Sequence, residues 1–242
     1  MTQPIYAIGD IHGQHAMLTD ALARIEADGG ADARIVFLGD YVDRGTDSRA
    51  VIDTLIQGQS EGRNWTCLKG NHDRMFQWFM EDIPRHDPHL LVGFHWFHDR
   101  IGGIATMASY GVTFDERTRL KDIHAQARAA VPPAHVAFLN ALPTRFETDD
   151  LVFVHAGIRP GIPLADQTEE DLVWIREQFH NYKPAHSKLV VHGHTPIDAA
   201  THYGNRVNLD TGAGYGDPLT AAVFEGADCW LVTPQSRQPL LP

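Results

Sequence analysis

Five stretches of the chain share one construction: a short strand-like apolar run, then at once a glycine with a polar neighbour. They are IYAIGD (5–10), RIVFLGD (34–40), WTCLKGN (65–71), LVFVHAG (151–157) and KLVVHGH (188–194). Runs of this length are buried strands, because they are too short for helices with their own cores. Between the early ones lie helical patterns. Residues 15–27 carry Met17, Leu18, Ala21, Leu22 and Ile25 at three- and four-residue spacing, and residues 48–57 carry Val51, Ile52, Leu55 and Ile56. Strand–helix alternation of this kind predicts an α/β fold.

The middle of the chain is different. From Met75 to about Ala141 the pattern is helical, which predicts a helical cap insertion of about 75–141 within a single domain, 1–242. Within it, PRHDPHLLVGFHWFHDR (84–100) predicts an amphipathic cap helix exposing His86, His89, His95 and His98, with His95 and His98 spaced to share a face. Trp78, Phe94, Trp96 and Phe97 are expected to pack in a helical core. Residues 144–154 predict a hairpin that turns at Asp149 and Asp150. VNLDTGA, TAAVFEG and DCWLVTP are expected as consecutive strands closing one sheet, and SRQPLLP as a frayed end.

Composition narrows the function classes. Hydrophobic residues at 43% and charged residues at 21% are those of an ordinary soluble domain. A formal net charge of −11 argues against a nucleic-acid or anionic-membrane surface, which needs clustered Lys and Arg. It says little about a metal site, where bound cations reverse the local field. Cys67 and Cys229 lie far apart in strand-like contexts, so buried thiols and a reducing cytosol are expected. MTQPIYAIGD shows no signal-peptide pattern, and no run approaches the ~18 apolar residues of a membrane span. A soluble cytoplasmic protein is the expectation.

Each of the five runs ends in groups that bind divalent metals. Asp10 and His12 stand in GDIHG, Asp40 and Asp43 in GDYVDRG, Asn71, His72 and Asp73 in GNHD, His155 in HAG and His194 in HGHT. In open α/β sheets, loops at the carboxyl ends of strands converge on one crevice. Carboxylate, imidazole and amide oxygen together suit manganese, iron or zinc better than calcium. Any one of these sites alone reads as turn chemistry. Five in this order, each behind an apolar run, do not arise independently.

Together these motifs resemble the ordered motifs of the phosphoprotein phosphatase branch of the calcineurin-like metallophosphoesterases. That branch includes bacterial and phage serine/threonine phosphatases and symmetrical diadenosine tetraphosphatases, and the resemblance runs from Ile5 to about Gly216. It implies a sandwich of two mixed β-sheets flanked by helices, with a dimetal site along one edge. Asp10, His12 and Asp40 would hold one divalent ion, and Asp40 would bridge to a second completed by Asn71, His155 and His194. Manganese is the expected metal, with iron or zinc as alternatives, and a bridging hydroxide would attack phosphorus in line.

The resemblance also implies that His72 is the general acid, with Asp43 orienting its imidazole. Arg44 would grip phosphate oxygens, joined by Arg176, with Arg159 the weaker candidate. Asp73 would set the loop carrying His72, and GGIATMASYG with Tyr110 would lie as a lid over the metals. Asp210 reads equally as support for a metal-bound histidine or as a turn residue. In HGHTPI, Pro196 stands where wider relatives place a further histidine ligand, so His194 is the expected ligand and His192 a buried neighbour. The activity implied is phosphoric monoester hydrolysis, by a serine/threonine protein phosphatase, with symmetrical diadenosine tetraphosphate hydrolysis as the alternative. A non-catalytic phosphopeptide-binding scaffold fits least, since the ligand set, His72 and Arg44 are all intact. The expected partners are a phosphorylated protein or a small phosphoester, without nucleic acid or membrane, and the expected state is a monomer.

Overall fold

In the computed structural model, which describes residues 3–242, the apolar runs build two facing β-sheets. The first has six strands, β1 (Ile5–Ile8), β2 (Arg34–Phe37), β3 (Trp65–Cys67), β9 (Ala221–Glu225), β10 (Asp228–Val232) and β11 (Arg237–Pro239). Their order is β11-β10-β9-β1-β2-β3. The second has five, β4 (Arg145–Glu147), β5 (Leu151–Val154), β6 (Leu189–His192), β7 (Thr201–His202) and β8 (Arg206–Asn208), in the order β4-β5-β6-β8-β7. Strands β1, β2 and β3 are parallel, as are β5, β6 and β8, while the remaining pairings are antiparallel.

The runs lack polar alternation because both faces of each strand are covered. Ile5, Ala7, Val36 and Leu38 pack between the sheets against Phe153, Val191, Val207 and Phe224. Their neighbours Tyr6, Ile8, Ile35 and Phe37 face the opposite way, onto helices α1 (His15–Gly29) and α2 (Ser48–Ser60) through Leu18, Ile25, Ile52 and Leu55. On the second sheet, Val152, Val154 and Val190 pack under α7 (Glu169–Trp174) and α8 (Glu177–His180) through Leu172 and Phe179. The result is the expected sandwich of two mixed sheets with helices outside each.

Between β3 and β4 lie α3 (Asn71–Phe79), α4 (Gly103–Ser109), α5 (Leu120–Ala130) and α6 (Pro133–Ala141). The helix expected over 84–100 does not form; that segment runs as turns. Pro84 and Pro88 remove backbone donors and Gly93 adopts φ 86°, so no continuous ladder of hydrogen bonds is available there. Trp96 and Phe97 are buried as expected, but from this irregular segment and not from a helix. The hairpin at 144–154 forms, pairing Arg145 with Val154 and Glu147 with Val152.

Two C-terminal expectations are corrected. The run VNLDTGA does not join TAAVFEG and DCWLVTP in one sheet: β8 pairs with β6 in the second sheet and buries Val207 between the layers, while β9 and β10 form a hairpin in the first. The end of the chain is not frayed either, since β11 pairs with β10. Arg237 anchors it, donating from Nε to both Asp28 oxygens at 3.0 and 2.9 Å and from Nη1 to Glu225. Cys67 and Cys229 are buried free thiols. Among the described residues, no helix is long and apolar enough to cross a membrane.

Between the two sheets the Phe153 ring sits edge-on to Phe224, centroids 5.8 Å apart. Replacing Phe153 with Ala removes this contact from a fully buried position and is expected to cost about 3–5 kcal/mol. Denaturant unfolding measures it, and a loss under about 1 kcal/mol would contradict the packing described.

Candidate metal centre

Because β1, β2 and β3 are parallel, their carboxyl ends lie on one edge of the first sheet, and β5 and β6 bring theirs to meet it. Within each sheet the strand-end loops are tied by backbone hydrogen bonds: Ile11 and His12 N–H donate to the Asp40 carbonyl at 3.1 and 2.8 Å, and Gly193 N–H to the His155 carbonyl at 2.8 Å. Directly after the strands the backbone turns left-handed. Among the described residues, five besides glycine have positive φ: His12 (48°), Asp40 (53°), Arg44 (68°), His194 (68°) and Asp43 (73°). All five are site residues expected from the sequence. Such backbone costs about 1–3 kcal/mol per residue and persists only where its surroundings dictate it.

Asp73 is one source of that constraint. Its carboxylate accepts from the N–H groups of Asp40 at 2.8 Å, Tyr41 at 2.9 Å and Gly70 at 2.9 Å, fastening the GDYVDRG turn to the GNHD turn. Two glycines are required by close approach. A Cβ on Gly70 would lie 2.1 Å from Asp40 Oδ1, and one on Gly193 would lie 2.0 Å from Asp10 Oδ1.

Two tight groups of potential ligand atoms result, His12–Asp40–His72 and Asp40–His155–His194, each with its atoms within 4.8 Å of one another. Asp40 belongs to both, which is the position a bridging carboxylate needs. Asn71 joins the second group, its Oδ1 lying 2.9 Å from His155 Nε2 and 2.8 Å from His194 Nδ1. Asp10 falls outside both groups. It is buried nearby, but its carboxylate turns toward the His194 N–H, at 3.2 and 3.0 Å.

The donor chemistry fits divalent cations. His155 Nδ1 donates to the Leu38 carbonyl at 2.9 Å, and His12 Nδ1 to the Val42 carbonyl at 2.8 Å. Each neutral ring therefore presents a bare Nε2 lone pair to the crevice. His155 Nε2 then confronts the Asn71 carbonyl oxygen at 2.9 Å and Asp40 Oδ2 at 3.5 Å with no hydrogen of its own to share. Lone pairs crowded in this way are relieved by a cation. His194 Nε2 is buried without any hydrogen-bond partner, and the guanidinium of Arg44 lies against His12 Nε2 and, at 3.2 Å, against His72 Nε2.

Burial shapes the electrostatics. It pushes the Asp40 carboxyl up to about 8. Asp10 is raised well above the usual carboxylate range, by burial and then by the charges of Asp210 and Asp40. Burial also lowers His155 to about 4 and depresses His12 and His194 below the ordinary imidazole value. The imidazoles are thus ready ligands at neutral pH, whereas the carboxyls hold protons until a cation displaces them.

Alongside lies a second constellation. His72 Nδ1 meets Asp43 Oδ2 at 2.6 Å, and Asp43 is fully buried. Arg44 stands next to it, with Tyr215 stacked 4.7 Å over its guanidinium. Arg176 is exposed at the start of α8, its side chain without a hydrogen-bond or ion-pair partner among the described residues, and its charge bears on His72, His155 and His194. Arg159 is committed elsewhere, pairing with Asp171 at 2.9 Å and with Gln178.

Other expectations resolve by contact. His192 uses both ring nitrogens, Nδ1 with the Gly193 carbonyl at 3.0 Å and Nε2 with Arg206 at 3.1 Å, so neither faces the ligand groups. His95 and His98 each accept from backbone N–H groups two residues on and enter neither group. Tyr110 is no lid: it is buried and hydrogen-bonded to His135 at 2.8 Å, because α4 turns that side chain inward. Asp210 follows the turn reading, accepting from Gly212 N–H at 3.0 Å; among the described residues no histidine donates to its carboxylate. Sequence reasoning missed Trp96 and Thr106 as neighbours of Asp43, and no periodicity marked them. Tyr215 lies in the glycine-rich stretch after β8, the only signal that could have singled it out.

Comparison with known proteins agrees with this geometry. The calcineurin-like phosphoesterase family model matches residues 3–224. An asymmetrical bis(5'-nucleosyl)-tetraphosphatase from Anoxybacillus flavithermus is 27% identical over 238 residues, covering 88% of this chain and 87% of its own. Serine/threonine-protein phosphatase 1 from Salmonella typhimurium is 28% identical over 224 residues, covering 90% of each chain. The crystal structure of a cold-active protein-tyrosine phosphatase from a Shewanella species shares the fold, with a TM-score of 0.65 at 16% identity over 100% of this chain and 81% of that one.

The raised carboxyls set the sign of a pH dependence. In the metal-free protein, the contribution of Asp40 to stability is present below its unfolded value and is lost as pH rises through about 8. A cation removes that loss, and it displaces fewer protons as pH rises. Manganese affinity measured by calorimetry on metal-free protein is therefore expected to increase from about pH 6 to pH 8, by up to about tenfold per unit for each proton displaced. Affinity that stays flat over this range would contradict the assignment.

Proposed function

The chain belongs to the calcineurin-like phosphoesterase family, and on that premise we propose that it is a dimetal-dependent phosphomonoesterase acting on phosphoserine and phosphothreonine. The observation that carries the reading is the His72–Asp43 pair, 2.6 Å apart, set beside Arg44 in the crevice that gathers the ligand atoms. A seryl or threonyl alkoxide is a strong base and needs a proton as its P–O bond breaks, whereas a nucleotide leaving from an anhydride is already a stable anion. A dedicated proton donor therefore serves a monoester most.

In this reading Asp10, His12 and Asp40 would hold one ion, and Asp40, Asn71, His155 and His194 the other. Bound divalent ions, manganese foremost with iron or zinc as alternatives, supply an acidified water as nucleophile and positive charge against the phosphoryl oxygens. Arg44 and Arg176 clamp the same oxygens from the open side as planar donor forks. His72, as the imidazolium with Nδ1–H held by Asp43, would turn its Nε2–H toward the leaving oxygen and give it that proton. Asp43 keeps the ring in the required orientation and, as a carboxylate, steadies the imidazolium form against burial and Arg44, which lower His72 below the ordinary imidazole value.

A phosphoprotein or a small phosphoester is the partner this site would take, and the net charge of −11 opposes a nucleic-acid surface. We take the working unit to be a cytoplasmic monomer. A second reading, symmetrical diadenosine tetraphosphate hydrolysis, is supported at the level of substrate class by the nearly full-length likeness to an asymmetrical bis(5'-nucleosyl)-tetraphosphatase.

A parallel assay of manganese-loaded protein separates the two. The highest kcat/KM is expected on phosphoserine and phosphothreonine peptides, above phosphotyrosine peptides and diadenosine tetraphosphate. His72→Asn is expected to lower peptide turnover about 10²–10⁴-fold with the circular dichroism spectrum unchanged. A dinucleotide preference of orders of magnitude would replace the first reading with the second, and full turnover by His72→Asn would remove the proton-donor role.

A further inference from the structure

Asp43 receives more than the histidine. Trp96 Nε1 donates to both of its oxygens, at 2.9 Å to Oδ2 and 3.1 Å to Oδ1. Thr106 Oγ1 donates to Oδ1 at 2.6 Å and accepts from the Asp43 N–H at 2.8 Å, closing a ring with the same residue. Both donors are buried, and both come from the segment between β3 and β4. Neither belongs to the ligand groups.

We propose that Trp96 and Thr106 are positioning residues for the proton donor: they fix the plane of the Asp43 carboxylate and, through it, the ring of His72. The inference rests on the reading of His72 as proton donor. A carboxylate held only by His72 could rotate about its Cβ–Cγ bond and carry the imidazole with it. An indole N–H bridging both oxygens, with a hydroxyl on one of them, removes that freedom. Phe76, stacked on the indole with centroids 5.3 Å apart, and Phe79, at 4.9 Å, hold the ring that carries this donor. The same segment also seats the phosphate-binding arginine. The Gly102 carbonyl accepts from Arg44 N–H at 3.3 Å, and a Cβ on Gly102 would lie 2.4 Å from that nitrogen. One insertion thus touches the backbone of Arg44 and the carboxylate behind His72.

Leaving-group dependence distinguishes positioning from packing. A misplaced acid hurts a poor leaving group more than a good one, whereas a packing defect lowers both together. kcat is measured on p-nitrophenyl phosphate and on phenyl phosphate for the manganese-loaded wild type, Trp96→Phe, Thr106→Val, Thr106→Ser and His72→Asn, after thermal melts establish that each variant is folded. The ratio of the first rate to the second is expected to rise about tenfold in Trp96→Phe and in Thr106→Val, equivalent to one well-placed hydrogen bond. It should return to the wild-type value in Thr106→Ser, which keeps the hydroxyl, and rise furthest in His72→Asn. If Trp96→Phe does not fold, the two Thr106 variants decide the matter. A ratio that moves in His72→Asn but not in the Trp96 and Thr106 variants overturns the positioning role. A ratio unmoved in His72→Asn overturns the proton-donor reading, and the positioning inference falls with it.

Discussion

Lone pairs and carboxylates packed into one buried crevice make the demand that the rest of the molecule answers. Asp10, Asp40, His12, His155 and His194 are all nearly inaccessible to solvent, and the tautomers set by Leu38 and Val42 point bare nitrogens at other acceptors. Without cations, such a cluster costs far more than local packing returns, and its carboxyls retain protons. Divalent ions convert that cost into binding energy. The left-handed backbone at His12, Asp40 and His194 is strain of the same origin, held by Asp73 and by glycines that leave no room for a side chain.

The two halves of the site rest on different parts of the chain. Parallel strands from both sheets deliver the ligand atoms, because their carboxyl ends share one edge and the sandwich core sets the distance between them. The segment between β3 and β4 reaches the His72–Asp43 pair and Arg44, through Trp96 and Thr106 on Asp43 and Gly102 behind Arg44. That segment includes irregular backbone where a helix was expected. Irregularity permits an indole to reach back from residue 96 to a strand-end carboxylate, which a regular helix over 84–100 would constrain differently.

Much of this was legible in the chain itself, for physical reasons. Strands covered on both faces read as unbroken apolar runs, so β1, β2, β5 and β6 announced themselves, and a polar residue directly after a buried strand has few innocent uses. The strand-end motifs therefore located the crevice. What escaped depends on long-range contact. Arg237 orders the chain end only because Asp28 and Glu225 happen to flank it, so the expected fraying was wrong. Strand β8 resembles its successors in composition, and only the layer that needed Val207 decided its sheet. Trp96 looked like core, which it is, while its single N–H serves Asp43. Asp10 lies outside the ligand groups because its carboxylate accepts from the His194 N–H, a contact across the two sheets that no spacing rule contains.

Diffraction from a manganese-loaded crystal, recorded at the manganese absorption edge, tests the central claim most directly. We expect two anomalous peaks about 3.5–4 Å apart on either side of the Asp40 carboxylate. One should lie beside His12 with Asp10 swung in to meet it, and the other among Asn71, His155 and His194. A single peak, or manganese bound at the cap histidines His95 and His98 with none at Asp40, would contradict it.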